Sequence, residues 1–449
     1  MKRKNILVLT VVILALGLSS GVFAQDYGVT DVQDMQNIMP HRERVRIMNQ
    51  WLKWRLENIL PDLMRRENID MWVVICREAN EGPVYFSLAP EPSFYASRTT
   101  ILVFHDRGNE RGVERFSSRS RGGDEWYRPL HKDRSMDGFR QLAQFIRDRD
   151  PRRIGINRSD DWSFGDGLSA ALLAKLEEAL GAEYASRLVT AEKLCVGWLE
   201  TRSPQELSVY RHICGIAHDM IAEMFSNRVI VPGVTTADDV VWWFREKVSE
   251  MKLSTWFQPS VSILRSDMEA ARHEKGDRVI RRGDLLHCDV GIVYLGLYTD
   301  TQQHAYVCRI GETDAPEGLK EGLRRCNRLQ DIFMREFEAG RSGNEILRNS
   351  LRKAKAEGLK PMIYTHPLGV YGHAAGPTIG RYDKQDGIAV RGDYPLYADT
   401  CYAIELNNRC VVPEWGGQEI PIMLEEDAVF TADGCEFLDG RMERFYLIK

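Results

Sequence analysis

Two stretches in the second half of the chain double back on themselves, and each carries an acid on both arms. Leu285-Leu286-His287-Cys288-Asp289-Val290 reads as a strand, and a second strand-like run extends from Leu297 to Val307 after a break at Leu295-Gly296. A hairpin centred near Tyr294-Leu295 sets Asp289 opposite Asp300. Directly opposed residues of an antiparallel pair project from one face, with Cβ atoms about 4.5–5.5 Å apart. The pattern recurs further on. Tyr402 to Glu405 and Ile420 to Glu425 alternate like strands, and Pro413-Glu414-Trp415-Gly416-Gly417 between them is rich in turn residues. A hairpin centred near Trp415 sets Glu405 opposite Glu425. Glu426 falls on the other face, because strand side chains alternate.

Such carboxylate pairs are costly to bury unless they are paired or bound to a cation. His366 lies between the two hairpins in sequence, with His373 close behind it and His273 ahead of Asp289. Taken singly, each acid or histidine reads as an ordinary surface or core residue. Taken together, Asp289, Asp300, His366, Glu405 and Glu425 suggest a site for two divalent metal ions. Four carboxylates and one imidazole favour hard or borderline ions.

Asp289-Val290-Gly291, then Asp300, His366, Glu405 and Glu425 in that order, resemble the metallopeptidase family of aminopeptidase P, prolidase and methionine aminopeptidase. The resemblance is strong over roughly residues 197–440, and residues 41–190 are similar to the N-terminal domain of the aminopeptidase P, prolidase and creatinase branch. It implies an α+β fold: a pita-bread catalytic domain preceded by an α/β creatinase/prolidase-like domain. It also implies that Asp289 binds one ion and His366 the other, that Asp300 and Glu425 bridge, and that Glu405 is both ligand and proton shuttle. His273 and His373 match the family's substrate and transition-state histidines. The implied cofactor is a pair of manganese ions, with cobalt, zinc or iron as substitutes. The implied reaction is hydrolysis of an Xaa-Pro bond near a free N-terminus, by a hydroxide shared between ions about 3.5–4 Å apart. The expected partner is a peptide substrate, and the expected assembly a homodimer.

The chain departs from the family pattern in three places. Gln302-Gln303-His304 follows Asp300-Thr301 where Asp-x-Thr-Arg-Thr is usual. Leu406-Asn407 stands where Pro-Gly usually follows the glutamate, and Met423 where an arginine often precedes the last glutamate. These differences bear on substrate more than on metal. They also keep two alternatives open, another metallohydrolase and a non-catalytic binding protein.

Competing chemistries fail on inspection. His273-Glu274 lacks the second histidine of a zincin helix, and neither a G-x-S-x-G elbow nor a phosphate-binding G-x-x-x-x-G-K-S/T loop occurs. The first residues are basic, an apolar run from Ile6 to Leu18 follows, and Val22-Phe23-Ala24 ends in a small-x-small pattern. That predicts a signal peptide over residues 1–24, an exported product in the periplasm or outside the cell, and no stable membrane span after cleavage. Loss of Lys2, Arg3 and Lys4 makes the formal charge of −5 three units more negative, which does not favour nucleic acid as a partner. Nine cysteines is an odd count, and most sit in apolar runs, so they read as small buried hydrophobes rather than a disulfide framework.

At 449 residues the chain exceeds the usual size of one domain. The predicted division is 41–190 and 197–449. In the first part, residues 41–68 read as an amphipathic helix. Strands are predicted at 71–75, 100–104 and 153–157, helices at 136–149 and 168–181, and a long irregular excursion from 106 to 137. In the second, helices are predicted at 203–226, 236–252, 315–339 and 343–357 among strands.

Overall fold

The computed structural model describes residues 38–120, 125–130 and 137–449. The predicted signal segment lies outside the described residues.

Met71–Arg77 is a strand buried on both faces. Its odd residues Met71, Val73 and Ile75 pack with Leu142 and Ile146 of the helix Gly138–Arg149 and with Leu172 and Leu176 of Ala170–Ala185. Its even residues Trp72, Val74 and Cys76 join Leu60, Leu63, Leu194 and Trp198 on the other side. A period of two thus places two helical layers on one sheet. The sheet is six-stranded, in the order Arg128–Pro129, Val113–Ser117, Thr99–Asp106, Met71–Arg77, Ile154–Ile156, Leu188–Thr190.

Two sequence expectations are corrected here. Residues 106–137 are not an irregular excursion throughout: Val113–Ser117 pairs antiparallel with the preceding strand, Asp106 facing Val113. The segment Val-Glu-Arg-Phe-Ser is short, does not alternate and lies among arginines and acids that mask it. Residues 41–68 form two helices, His41–Asn58 and Leu60–Arg66, with Pro61 in the first turn of the second, a position where a missing N–H costs nothing.

The second half packs helices against several small sheets. Pro204–Met224 and Ala237–Glu250 cover one group of strands, Ser260–Leu264, Leu285–Val290, Thr301–Val307 and Tyr446–Ile448. Glu317–Met334 and Gly343–Ala356 cover another, Pro361–Ile363, Leu406–Val412 and Gln418–Leu424. Three of these helices start with a full capping box: Ser203 with Glu206, Thr236 with Asp239 and Ser342 with Glu345. The two groups of strands meet through a backbone bridge between Gln302 and Glu425. Among the described residues no helix is long and apolar enough to cross a membrane. Eight of the nine cysteines are buried and none is bridged.

Candidate metal centre

The glutamate hairpin has the predicted register. Leu406 faces Leu424 and Asn407 faces Met423, so the next pair out is Glu405 and Glu425. Ile422 and Leu424 point into the helical core, which sends Met423 and Glu425 to the opposite face.

The aspartate hairpin does not. Gln302, not Asp300, faces Asp289, and the pairing is offset by two residues from the expected one. The reversal is the two-residue turn Leu295-Gly296, flanked by the pair Tyr294–Leu297. Both turn residues have positive φ, 54° and 72°, as a tight hairpin turn of the right twist demands. Asp300 also leaves the ladder. Its N–H donates to Asp427 Oδ1 at 3.2 Å, and the Thr299 hydroxyl accepts the Ile292 N–H at 3.0 Å. Because the offset is even, no side chain changes face. Asp289, Asp300 and Gln302 therefore still point the same way.

All five predicted ligands converge. Asp289, Asp300 and Glu425 offer oxygen atoms within 4.8 Å of one another, as do the ligand atoms of His366, Glu405 and Glu425. His373 joins Asp300 and His366 in a third such group, its ring centroid 4.6 Å from that of His366. His273 is different. It follows the short helix Asp267–Ala270, its Nε2 lies 3.7 Å from Glu269, and no hydrogen bond or ring contact among the described residues joins it to the five.

The atoms that meet in the middle lack partners. Asp300 Oδ1, Glu425 Oε1 and His366 Nε2 are buried without a hydrogen bond. His366 Nε2 stands 3.4 Å from both Asp300 and Glu425, close enough for an ion pair but not aligned for a hydrogen bond. His366 Nδ1 lies 3.0 Å from the Pro367 carbonyl, so Nδ1 carries the proton and Nε2 faces the carboxylates. Burial raises the Asp289 carboxyl to about 6, Asp300 to about 8 and Glu405 to about 9, with neighbouring acids adding to the last two. Glu425 is also raised well above the ordinary value, by burial and then by Asp300. Burial works against a charged His366, yet Asp300 and Glu425 outweigh it and hold its pKa well above the ordinary value. A divalent cation answers all of these at once, and ligand protons must leave when it binds. The donor set fits such an ion.

Sequence reasoning missed two groups of residues around this cluster. One is Gln302, whose Nε2 donates to Glu405 Oε1 at 2.6 Å and to Glu425 Oε2 at 2.7 Å. The other is an aromatic wall. The rings of His373 and Trp256 are 5.3 Å apart, Tyr298 and Tyr371 5.7 Å, and Phe164 and Tyr371 5.3 Å. They line a cavity of about 390 Å³ with Val293 and Gly372. Gly372 is required there, since a Cβ would sit 2.1 Å from the Trp256 ring. Tyr298 and Tyr371 each lie two residues before a site residue, and that spacing was the available signal. Burial, followed by the charge of His366, lowers the His373 pKa to about 4.

A family model described as metallopeptidase family M24 matches residues 208–432, half of the chain. No curated protein matches in sequence. Among solved structures, the X-Pro aminopeptidase of Thermotoga maritima is 16% identical with a TM-score of 0.59, over 86% of this chain and 99% of that one. The Xaa-Pro dipeptidase of Bacillus anthracis is 15% identical with a TM-score of 0.58, over 90% and 99%. The prolidase of Pyrococcus furiosus is 15% identical with a TM-score of 0.51, over 85% and 99%. At these identities the likeness is one of fold, while the family model covers the stretch that carries all five acid and histidine positions. The chain belongs to metallopeptidase family M24, and is a hydrolase of the peptidase class with the pita-bread fold.

Proposed function

We propose that this protein is an exported Xaa-Pro aminopeptidase working with two divalent ions, manganese in the first instance. The observation that carries the reading is the meeting of Asp289, Asp300, His366, Glu405 and Glu425, with unpartnered atoms turned inward. Asp289, Asp300, His366, Glu405 and Glu425 would hold the ions. When bound, such ions supply a hydroxide near neutral pH by lowering the pKa of a water. The chain's own residues do the rest. Glu405 takes the proton from the attacking water and delivers it to the leaving amine. His373, beside His366 and Trp256, donates to the oxygen that becomes negative at the scissile carbonyl. His273 is proposed for the same role on the resemblance alone. The aromatic wall excludes water and offers a flat apolar surface to a side chain or a proline ring. Residues 41–190 form the accessory domain and 197–449 the catalytic one. On this reading the mature protein works in the periplasm or outside the cell, as a homodimer.

The support for Xaa-Pro bonds comes from the structural neighbours, two of which are named for that linkage. A panel of fluorogenic Xaa-Pro peptides, assayed with manganese and with a chelator, tests the reading. Turnover that needs the metal and a proline after the first residue is expected. Absence of metal-dependent turnover of any peptide overturns it. N-terminal sequencing of the protein from its native host tests export, with Gln25 expected as the first residue.

A further inference from the structure

Gln302 occupies a position that the ligand set does not explain. It faces Asp289 across the hairpin. Its backbone is locked to Glu425 in both directions, N–H to carbonyl at 3.0 Å and carbonyl to N–H at 3.1 Å. Its side chain is buried, and its amide nitrogen lies 2.6 Å from Glu405 Oε1 and 2.7 Å from Glu425 Oε2. A primary amide has two N–H groups, so each carboxylate receives one. The amide oxygen lies 2.9 Å from His287 Nε2. That oxygen can only accept, so His287 Nε2 must carry a hydrogen. His287 Nδ1 then lies 3.5 Å from the Ser262 hydroxyl. Turning the amide over would aim its oxygen at two carboxylates, so the two glutamates favour the orientation in which the nitrogen faces them.

The consequence lies in which oxygens remain. Glu425 Oε1 is the buried oxygen without a partner, and it faces His366 Nε2 at 3.4 Å. Gln302 holds the other oxygen. For Glu405 the amide likewise takes Oε1 and leaves Oε2. Two glutamates are thus tied to one nitrogen.

We propose that Gln302 is a positioning residue for the metal centre: its amide restrains Glu405 and Glu425 so that one oxygen of each is presented to the ions, and His287 acts through Gln302 by fixing the amide. This rests on the metallopeptidase reading above. Partners of this kind, one step behind a ligand, typically contribute 10–100-fold in metal affinity, of the order of magnitude expected here.

The test is calorimetric titration of the chelator-treated full-length protein with manganese chloride, so that it does not depend on turnover. Gln302→Met keeps the volume and removes both donors. His287→Leu leaves both glutamates and the Gln302 donors in place but frees the amide. The expected results are an affinity loss of about 10–100-fold for Gln302→Met and a smaller loss for His287→Leu. The double variant should be no weaker than Gln302→Met, because His287 has no other route to the site. Near-ultraviolet circular dichroism checks folding, and should Gln302→Met fail to fold, His287→Leu alone decides the matter. Native binding with unchanged affinity in the folded variants overturns this proposal and leaves the metallopeptidase reading intact. Losses that add fully in the double variant also overturn it, since they indicate independent structural effects. Absence of manganese binding by the native protein overturns both.

Discussion

Glu425 projects among the candidate ligands, while Glu426, the next residue, is turned into the opposite side of the same stretch of chain. Both are buried acids, yet their surroundings differ in kind. Glu426 Oε1 accepts from Gln303 Nε2 and from the Met442 N–H, each at 2.9 Å, and its Oε2 meets His218 Nε2 at 2.9 Å. His218 Nδ1 is in turn 2.8 Å from Asp439. Burial opposes a charged His218, but bonds to Asp439 and Glu426 raise its pKa well above the ordinary value. On this side polar atoms close upon one another. On the other side Glu425 Oε1, Asp300 Oδ1 and His366 Nε2 are left over. A closed buried network belongs to the fold, and an open one of several acids calls for a ligand.

The largest effect should come from the open side. Glu405→Gln removes the proton carrier while keeping its shape. Loss of general acid–base help costs about 10²–10⁴-fold in rate, and weakened metal binding adds to that. Steady-state assays on an Xaa-Pro peptide, with an unfolding curve as control, check it. A folded variant that keeps native activity removes Glu405 from the mechanism.

Next comes a direct contrast of the two neighbours. Glu426→Ala leaves His218 charged beside one acid instead of two, and breaking a buried pair of this kind costs about 3–5 kcal/mol. Its manganese-induced stabilisation should survive. Glu425→Gln should do the reverse, with little loss of basal stability but loss of the stabilisation that manganese brings, about 2.7 kcal/mol at a hundred times the dissociation constant. Denaturant unfolding with and without manganese reads both. If Glu426→Ala abolishes the metal effect and Glu425→Gln does not, the two faces have been assigned the wrong way round.

The convergence of the five candidate residues was legible because strand alternation and order survive errors of register. Asp300 was expected opposite Asp289 and is two residues away, which changes the partner but not the face. The same offset concealed Gln302, which takes the place opposite Asp289. The shift has its origin in the tightness of the Leu295-Gly296 turn, since a Leu at positive φ is hard to foresee from sequence. The glutamate hairpin was easier, because Gly416 and Gly417 supply the positive φ values of its turn. The aromatic wall was barely legible, its one sequence signal being that Tyr298 and Tyr371 lie two residues before Asp300 and His373. It draws Phe164 from the first half of the chain and Trp256, Tyr298 and Tyr371 from the second, contacts that only the folded chain creates. His287 read as an ordinary strand residue, although burial lowers its pKa to about 4 and its Nε2 holds Gln302.

Glu200 sharpens the contrast further, because it has an unpartnered oxygen outside the centre. Its Oε1 accepts from the Tyr394 hydroxyl at 2.8 Å, and its Oε2 has no partner. Burial raises its pKa from 4.5 to about 8, against the pull of Tyr394 and of Arg66 and Arg202. A buried carboxyl of this kind takes a proton rather than an ion. Between those two values the folded protein holds a proton that the unfolded chain has released. Stability from this group is therefore complete below the lower pKa and is lost as pH rises through the upper one. The slope approaches about 1.4 kcal/mol per pH unit. Chemical unfolding of the native protein and Glu200→Gln across that range should differ by this slope, and parallel curves would mean that Glu200 is ionised in the fold.

The smallest effect concerns how far the open face extends. Beyond Glu405 and Glu425 the next opposed pair is Asn407 and Met423, and after it Arg409 and Pro421. Lys355, Lys360, Asn407, Arg409 and Met423 line a cavity of about 530 Å³ there. Each step of two residues advances about 6.8 Å along a strand, so on the proposed reading a substrate carboxylate that follows this strand pair passes Met423 before it reaches Arg409. On that path a dipeptide is expected to end short of Arg409, and a peptide with a residue after the proline to reach it or the lysines. Arg409 is half exposed and already paired with Glu419 at 3.2 Å, so the gain is modest, roughly fivefold or less in kcat/KM. Xaa-Pro-Yaa peptides should accordingly be cleaved at least as well as Xaa-Pro. Met423→Arg should shift the ratio toward the dipeptide by placing a guanidinium one step closer to the metal centre. Kinetics on matched peptide pairs measure both, and a strong dipeptide preference in the native protein would show that the carboxylate is held by something nearer than Arg409.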